Sequence, residues 1–132
     1  MIFVDSNIPM YLVGAPHPHK AQAQRLLDRC TANHERLVTD AEVFQEILHR
    51  FVAIRRRDAI QPAFDALLTI ADDVFAVDLL VVERAKTIVL GNERLSSRDA
   101  VHLAVMQRER VERILSFDRG YDGIPGVERI GA

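Results

Sequence analysis

One cysteine, Cys30, is all the sulfhydryl chemistry that this chain of 132 residues carries. An internal disulfide is therefore excluded, and a lone thiol at helical spacing from apolar neighbours reads as packing in a reducing compartment, the cytoplasm. Long apolar runs are also missing: apolar residues make up 48% of the chain, yet no window reaches the length of a membrane span. The first residues form an apolar run, with no basic stretch leading to a cleavage site, so no secretory signal is expected. Charge of either sign is nearly balanced, at −2 overall, which excludes bulk electrostatic attraction as a pointer to nucleic acid. Internal repeats, low-complexity segments and linkers are absent. A single domain over residues 1–132 follows, large enough to bury roughly two-thirds of its unfolded surface.

What is present alternates between strand and helix patterns. Residues 1–4 predict a short buried strand, followed by Asp5-Ser6-Asn7, three side chains suited to helix starts. Pro9 fits the first turn of the next helix, and Gly14-Ala15-Pro16 ends it. Ala23, Leu26, Leu27 and Cys30 predict an amphipathic helix from about His19 to Ala32. Leu37-Val38 reads as a second strand, and Thr39 with Glu42 as the capping box of a helix whose core face holds Val43, Ile47 and Phe51. Arg55-Arg56-Arg57 and Asp58 mark a turn into a helix through Ala71. A strand at Val74–Val77 precedes a helix capped by Asp78 and ended by Gly91. Ser96 or Ser97 opens a further helix, and a strand at 113–117, a turn at Asp118-Arg119-Gly120 and a strand near 127–130 complete the chain. The order predicts an α/β fold with a short, largely parallel sheet flanked by helices on both faces.

That topology gives four acids a common destination. Strand C-termini and the starts of the following helices share one edge of an open α/β sheet. Asp5 and Asp118 close two strands, Asp99 lies in the first turn of a helix, and Glu46 lies within the helix after the second strand. Each has an ordinary explanation: a cap for Asp5, a capping box with Ser96 for Asp99, a turn for Asp118, an i,i+4 pair with Arg50 for Glu46. Their convergence does not. Gathered carboxylates raise one another's pKa unless a cation neutralises them, and oxygen ligands of this kind suit Mg²⁺ or Mn²⁺. Asp5, Glu46, Asp99 and Asp118 are therefore the expected catalytic metal-holding set of a phosphoryl-transfer enzyme. Asp5 and Asp99 are expected as direct ligands, and Glu46 and Asp118 as ligands directly or through water. Ser6, Asn7 and Ser116 could orient the carboxylates, and Arg98 could reach a substrate phosphate. Asp40, Asp72, Asp73 and Asp78 read as caps or turns, and Asp122 is the nearest substitute for Asp118. His102, one turn after Asp99, reads as packed beside the site.

Other chemistries lack parts. An aspartyl-phosphate enzyme of the phosphatase type wants a second acid two residues after the first, where Asn7 stands. A phosphorylated receiver needs a late lysine, and the only lysines are Lys20 and Lys86. A metal-free ribonuclease needs a paired base and acid, and His17, His34 and His49 show no such arrangement with His19 or His102.

Four segments carry a resemblance to a known family: Phe3-Val4-Asp5-Ser6-Asn7-Ile8, Val43-Phe44-Gln45-Glu46-Ile47-Leu48, Leu95-Ser96-Ser97-Arg98-Asp99-Ala100-Val101-His102-Leu103-Ala104 and Ile114-Leu115-Ser116-Phe117-Asp118-Arg119-Gly120-Tyr121-Asp122. In order and spacing they resemble the PIN-domain ribonucleases, in particular the small toxins of VapBC toxin–antitoxin pairs. The resemblance implies an RNA substrate, Mg²⁺, a cognate antitoxin and a homodimer, with the four acids in the family's catalytic positions. A housekeeping RNA-processing nuclease, or a non-catalytic RNA- or protein-binding module, is the alternative on the same fold.

Overall fold

Short apolar runs separated by capped helices leave little choice but a parallel sheet, since each helix must return the chain to the starting edge. The computed structural model describes residues 1–131; the last residue of the expected domain, Ala132, lies outside the described residues. Strands β1 (Ile2–Val4), β2 (Leu37–Asp40), β3 (Asp73–Phe75), β4 (Arg113–Leu115) and β5 (Glu128–Ile130) form one sheet in the order β3-β2-β1-β4-β5. Every strand pair is parallel, with Ile2 opposite Leu37 and Phe3 opposite Ile114 in the centre. The six helices are α1 (Asn7–Val13), α2 (Pro18–Ala32), α3 (Ala41–Ala53), α4 (Ile60–Ile70), α5 (Leu79–Gly91) and α6 (Ser97–Glu109). β1 and β2 are buried along their whole length, as strands covered on both faces must be. Helix α1 packs on α2 and α4, while α5 lies along α6.

The chain leaves β1 towards β2 and β3, then crosses back through α5 and α6 to β4 on the other side of β1. The gap between β1 and β4 is thus the point where the strand order reverses, and ligand sites open outside the strand C-termini at that point. Because α6 leads into the start of β4, its own N-terminus lies at that same edge.

Five local expectations are corrected, the first being the third strand, which spans Asp73–Phe75 and not Val74–Val77 because Asp73 pairs opposite Val38. The cap of α3 is Asp40, whose side chain accepts from Val43 N at 2.9 Å, and not Thr39. Thr39 belongs to the sheet instead, opposite Val74, with its hydroxyl donating to Val4 O at 2.9 Å, so β2 runs two residues past the apolar pair. β4 ends at Leu115, two residues early, because the Phe117 ring leaves the sheet to stack on His19 at 4.1 Å. His17-Pro18-His19, which pattern alone suggests is a loop, is a helix start: Pro18 opens α2 and His17 Nδ1 accepts from His19 N at 3.0 Å. The expectations for Asp78 and Ser96 hold, each accepting from the backbone N–H three residues on. Cys30 is buried in the core, where burial pushes its thiol pKa up.

Candidate active site

Asp5 follows the last residue of β1, and Ser116 follows β4. The two strand ends are stitched together by polar side chains: Ser116 Oγ donates to Asp5 Oδ2 at 2.6 Å, and Asn7 Nδ2 donates to Ser116 Oγ at 3.1 Å. Ser6 N donates to Asp5 Oδ1 at 2.8 Å. The Asp5 carboxylate is therefore fixed on both oxygens. Only 5% of the residue is exposed, and burial raises its pKa from 3.8 to about 6, with Glu46 adding to the rise and His102 and Ser116 opposing it.

Glu46 reaches the same point from the second turn of α3. It is also buried, and it meets His102 of α6, whose Nε2 lies 2.5 Å from Glu46 Oε1. The other ring nitrogen, Nδ1, is 2.8 Å from Asp40 Oδ2. Burial alone would raise the Glu46 pKa, but the hydrogen bonds from His102 and Ser6 hold it below its usual value. Burial likewise disfavours the charged imidazole, but Asp40, Glu46 and Asp5 outweigh it and push the His102 pKa well above 6.5. Reading the sequence missed this Asp40–His102–Glu46 chain. The three side chains are 56 and 62 positions apart, and the only local signal was His102 standing three residues after Asp99, on the same face of the helix.

Asp99 enters from the first turn of α6. Its backbone N–H is bound by the Ser96 cap, while its carboxylate Oδ1 accepts from Tyr121 Oη at 2.9 Å. Tyr121 is fully buried, and burial together with Asp5 and Asp99 raises its pKa far above the phenol range, so it stays a donor. Asp118 is the outermost of the four. It is exposed at the rim, and its Oδ1 accepts from Gly120 N at 2.8 Å in the turn after β4.

All four acids line one cleft of about 330 Å³, together with Ser6, Asn7, Arg50 and Arg98. Within it, Asp5 and Glu46 form the tight group: one ligand atom each from these two and His102 lie within 4.8 Å of one another. His102 is no ligand there, because both its nitrogens are spent on carboxylates. Asp99 and Asp118 line the same cleft outside that close group. The donor set is carboxylate oxygen only, with the hydroxyls and amide of Ser116, Ser6 and Asn7 behind it, which fits a hard divalent cation.

The fit has a measurable consequence. Because folding raises the Asp5 pKa, this group's contribution to stability is greatest below about pH 3.8 and is lost as the pH rises through about 6, a penalty of roughly 3 kcal/mol once it ionises. A divalent cation favours the ionised form. The rise in Tm on adding Mg²⁺ is therefore expected to grow between about pH 5 and pH 7.5. Thermal melts with and without Mg²⁺ across that range check it; a Mg²⁺ effect independent of pH counts against Asp5 as a ligand.

The chain matches the PIN domain family over residues 2–127. It is 58% identical over 130 residues to ribonuclease VapC13 of Mycobacterium tuberculosis, covering 98% of this chain and 99% of that protein. Among solved structures, it superposes on M. tuberculosis VapC20, a toxin that cleaves the sarcin–ricin loop, with a TM-score of 0.69 at 22% identity over 90% of this chain and 91% of the other. A toxin–antitoxin complex from Klebsiella pneumoniae gives a TM-score of 0.70 at 18% identity, over 97% and 96% of the two chains. These structures share the fold, and the sequence match carries the family. With an acid-lined cleft at the switch point of a parallel sheet and more than half its residues shared with VapC13, the chain belongs to the PIN-domain family as a ribonuclease of the VapC group.

Proposed function

We propose that this ribonuclease is the toxin of a VapBC-type pair, hydrolysing RNA phosphodiester bonds with Mg²⁺, or Mn²⁺, held by Asp5, Glu46, Asp99 and Asp118. One observation carries the assignment: four carboxylates from four separate chain segments line a single cleft of about 330 Å³. When bound, the cation supplies a nucleophilic water at neutral pH and neutralises charge at the phosphorus. The chain's own groups do the rest. Ser116 and Ser6 fix the Asp5 oxygens, His102 fixes Glu46, and Tyr121 fixes Asp99, so none of the three needs to reorganise on binding. Arg98 lines the same cleft and contacts the substrate's phosphate.

A binding module without catalysis is the poorer reading. His102 offsets the charge of Glu46, but the buried Asp5 carboxylate stays costly to ionise, and a divalent cation relieves that cost. The products discriminate further. Attack by water leaves a 5′-phosphate and a 3′-hydroxyl, whereas attack by the RNA 2′-hydroxyl leaves a 2′,3′-cyclic phosphate. End-group analysis of cut RNA is expected to show the first pair, and EDTA to abolish cutting. Cyclic ends formed in the presence of EDTA sink the carboxylate mechanism.

The partners in this reading are a cognate antitoxin, RNA and a second copy of the chain. An antitoxin cation, best an arginine, would mask the carboxylates by pairing with two at once. Leu79, Leu80 and Leu90 leave helix α5 with exposed apolar side chains that a homodimer could cover. No described helix is long and apolar enough to cross a membrane, and cytoplasmic placement agrees with the unpaired Cys30. Co-expression with the product of the adjoining gene separates toxin from housekeeping nuclease: a stable, inactive complex supports the toxin, and no complex supports the housekeeping role.

A further inference from the structure

Beside the acid cleft lies a second groove, of about 310 Å³, and the two share Asn7, Met10 and Arg50. Their linings differ in chemistry. The acid cleft holds four carboxylates; the second groove has none, and is walled by Met10, Tyr11, His17 and Ile54, with Arg50 and Arg56 among its polar lining. Its aromatic wall is built in advance. The Tyr11 ring meets His17 at 4.7 Å and 31°, and its edge contacts fix it against His19 at 4.8 Å and Phe117 at 5.5 Å. The His17 ring is held in turn by the hydrogen bond from His19 N at 3.0 Å. Phe117 stands between Ser116 and Asp118, so the wall is continuous with the loop that carries the outermost acid.

Arg50 stands where the two grooves join. Arg56 is committed to Asp58 at 3.1 Å, but Arg50 is exposed and its guanidinium makes no hydrogen bond or ion pair among the described residues. A cation without a partner, one step from a cluster of acids, suits a phosphate next to the one being cut. Aromatic and imidazole faces beside such a cation suit the base attached to it, because single-stranded nucleic acid is held by stacking and by a positive track along its backbone.

We infer that this groove is a nucleotide subsite: it stacks one unpaired RNA base, adjacent to the scissile phosphate, on Tyr11 and His17, while Arg50 binds the intervening phosphate. The subsite rests on the ribonuclease reading of the acid cleft and adds a determinant of which bond is cut. A groove of about 310 Å³ with aromatic faces along one wall suits one unpaired base, as single-stranded RNA presents it.

The test uses the full chain and a labelled random-sequence single-stranded RNA about 12 nucleotides long. Binding is followed by fluorescence anisotropy with and without Mg²⁺, and cut positions by sequencing the product ends. Tyr11→Ala is expected to weaken binding about tenfold and to flatten the base preference next to the cut, while Tyr11→Phe keeps both. Arg50→Ala is expected to lower the slope of log affinity against log salt by about 0.7. Melting curves verify that each variant is folded. If the wild-type chain binds RNA through Tyr11 but cuts nothing, the subsite stands and the nuclease reading falls. If Tyr11→Ala and Arg50→Ala leave RNA binding and cut-site bias unchanged, the subsite is overturned. It is equally overturned if these changes spare RNA but release the adjoining gene's product, since the groove then belongs to a peptide.

Discussion

Asp99→Asn is expected to lower RNA cleavage at least a hundredfold while leaving the fold intact. Loss of an outer-shell partner of a metal site already costs roughly 10–100-fold, so loss of a charged donor from the site itself falls at or beyond the upper end. The structure separates this effect from a stability effect. The cap of α6 is made by Asp99 N donating to Ser96 Oγ at 3.1 Å, and the substitution leaves the backbone untouched. The amide oxygen of the new side chain can still accept from Tyr121 Oη, which now sits 2.9 Å from Asp99 Oδ1. What is removed is one negative charge from a cleft that holds four carboxylates. Stability without metal should therefore stay level or rise, and Mg²⁺ affinity should fall. Activity and Mg²⁺ affinity both near wild type would end the assignment. A clear loss of metal-free stability would instead return Asp99 to a structural role in the helix start.

The acids were legible because their positions follow from topology alone. A carboxylate after an apolar run, or in the first turn of a helix, goes to the same sheet edge whatever the packing in between. Asp5, Asp99 and Asp118 needed only that rule, and Glu46 needed only the phase of its helix. The groups that hold the acids were harder to see. Asp40 has a complete local explanation as the cap of α3, through Val43 N at 2.9 Å, so nothing in the sequence called for a second role. Its other oxygen is aimed at His102, across the fold. Tyr121 follows the Asp118-Arg119-Gly120 turn, and no local pattern assigns it a partner. Its burial depends on how the segment after β4 folds back over α6, a tertiary fact. Phe117 misled in the opposite way, since an apolar residue at the end of a strand pattern was counted into the strand. Aromatic partners from α1 and α2 compete for it, and they win because the polar Ser116 turns the chain at the site.

His102→Ala is expected to destabilise the protein by about 3–5 kcal/mol, the cost of breaking a buried charge network from one side. The ring is fully buried and lies 2.8 Å from Asp40 Oδ2, 2.5 Å from Glu46 Oε1 and 3.9 Å from Asp5 Oδ1. Ionised carboxylates only accept hydrogen bonds, so a ring bonded to two of them must donate from both nitrogens, which makes it an imidazolium. Removing it strands Asp40 and Glu46 in the interior and leaves a cavity against the Phe3 ring, now 5.3 Å away. The signs of the pKa shifts give this loss a pH signature. A raised His102 pKa contributes stability that is fully present below about 6.5 and fades as the pH rises through the higher folded value. A lowered Glu46 pKa contributes stability present above about 4.5 and lost as the pH falls through the lower folded value. The difference between wild type and His102→Ala should therefore be largest between about pH 4.5 and 6.5 and shrink at alkaline pH. Denaturant titrations of both proteins across that range measure it. His102→Leu combined with Asp40→Asn should recover part of the loss, because the apolar side chain fills the gap and the amide is cheaper to bury than a lone carboxylate. A cost below about 1 kcal/mol that does not change with pH would mean that the ring is neutral packing, and that Glu46 takes its position from α3 alone.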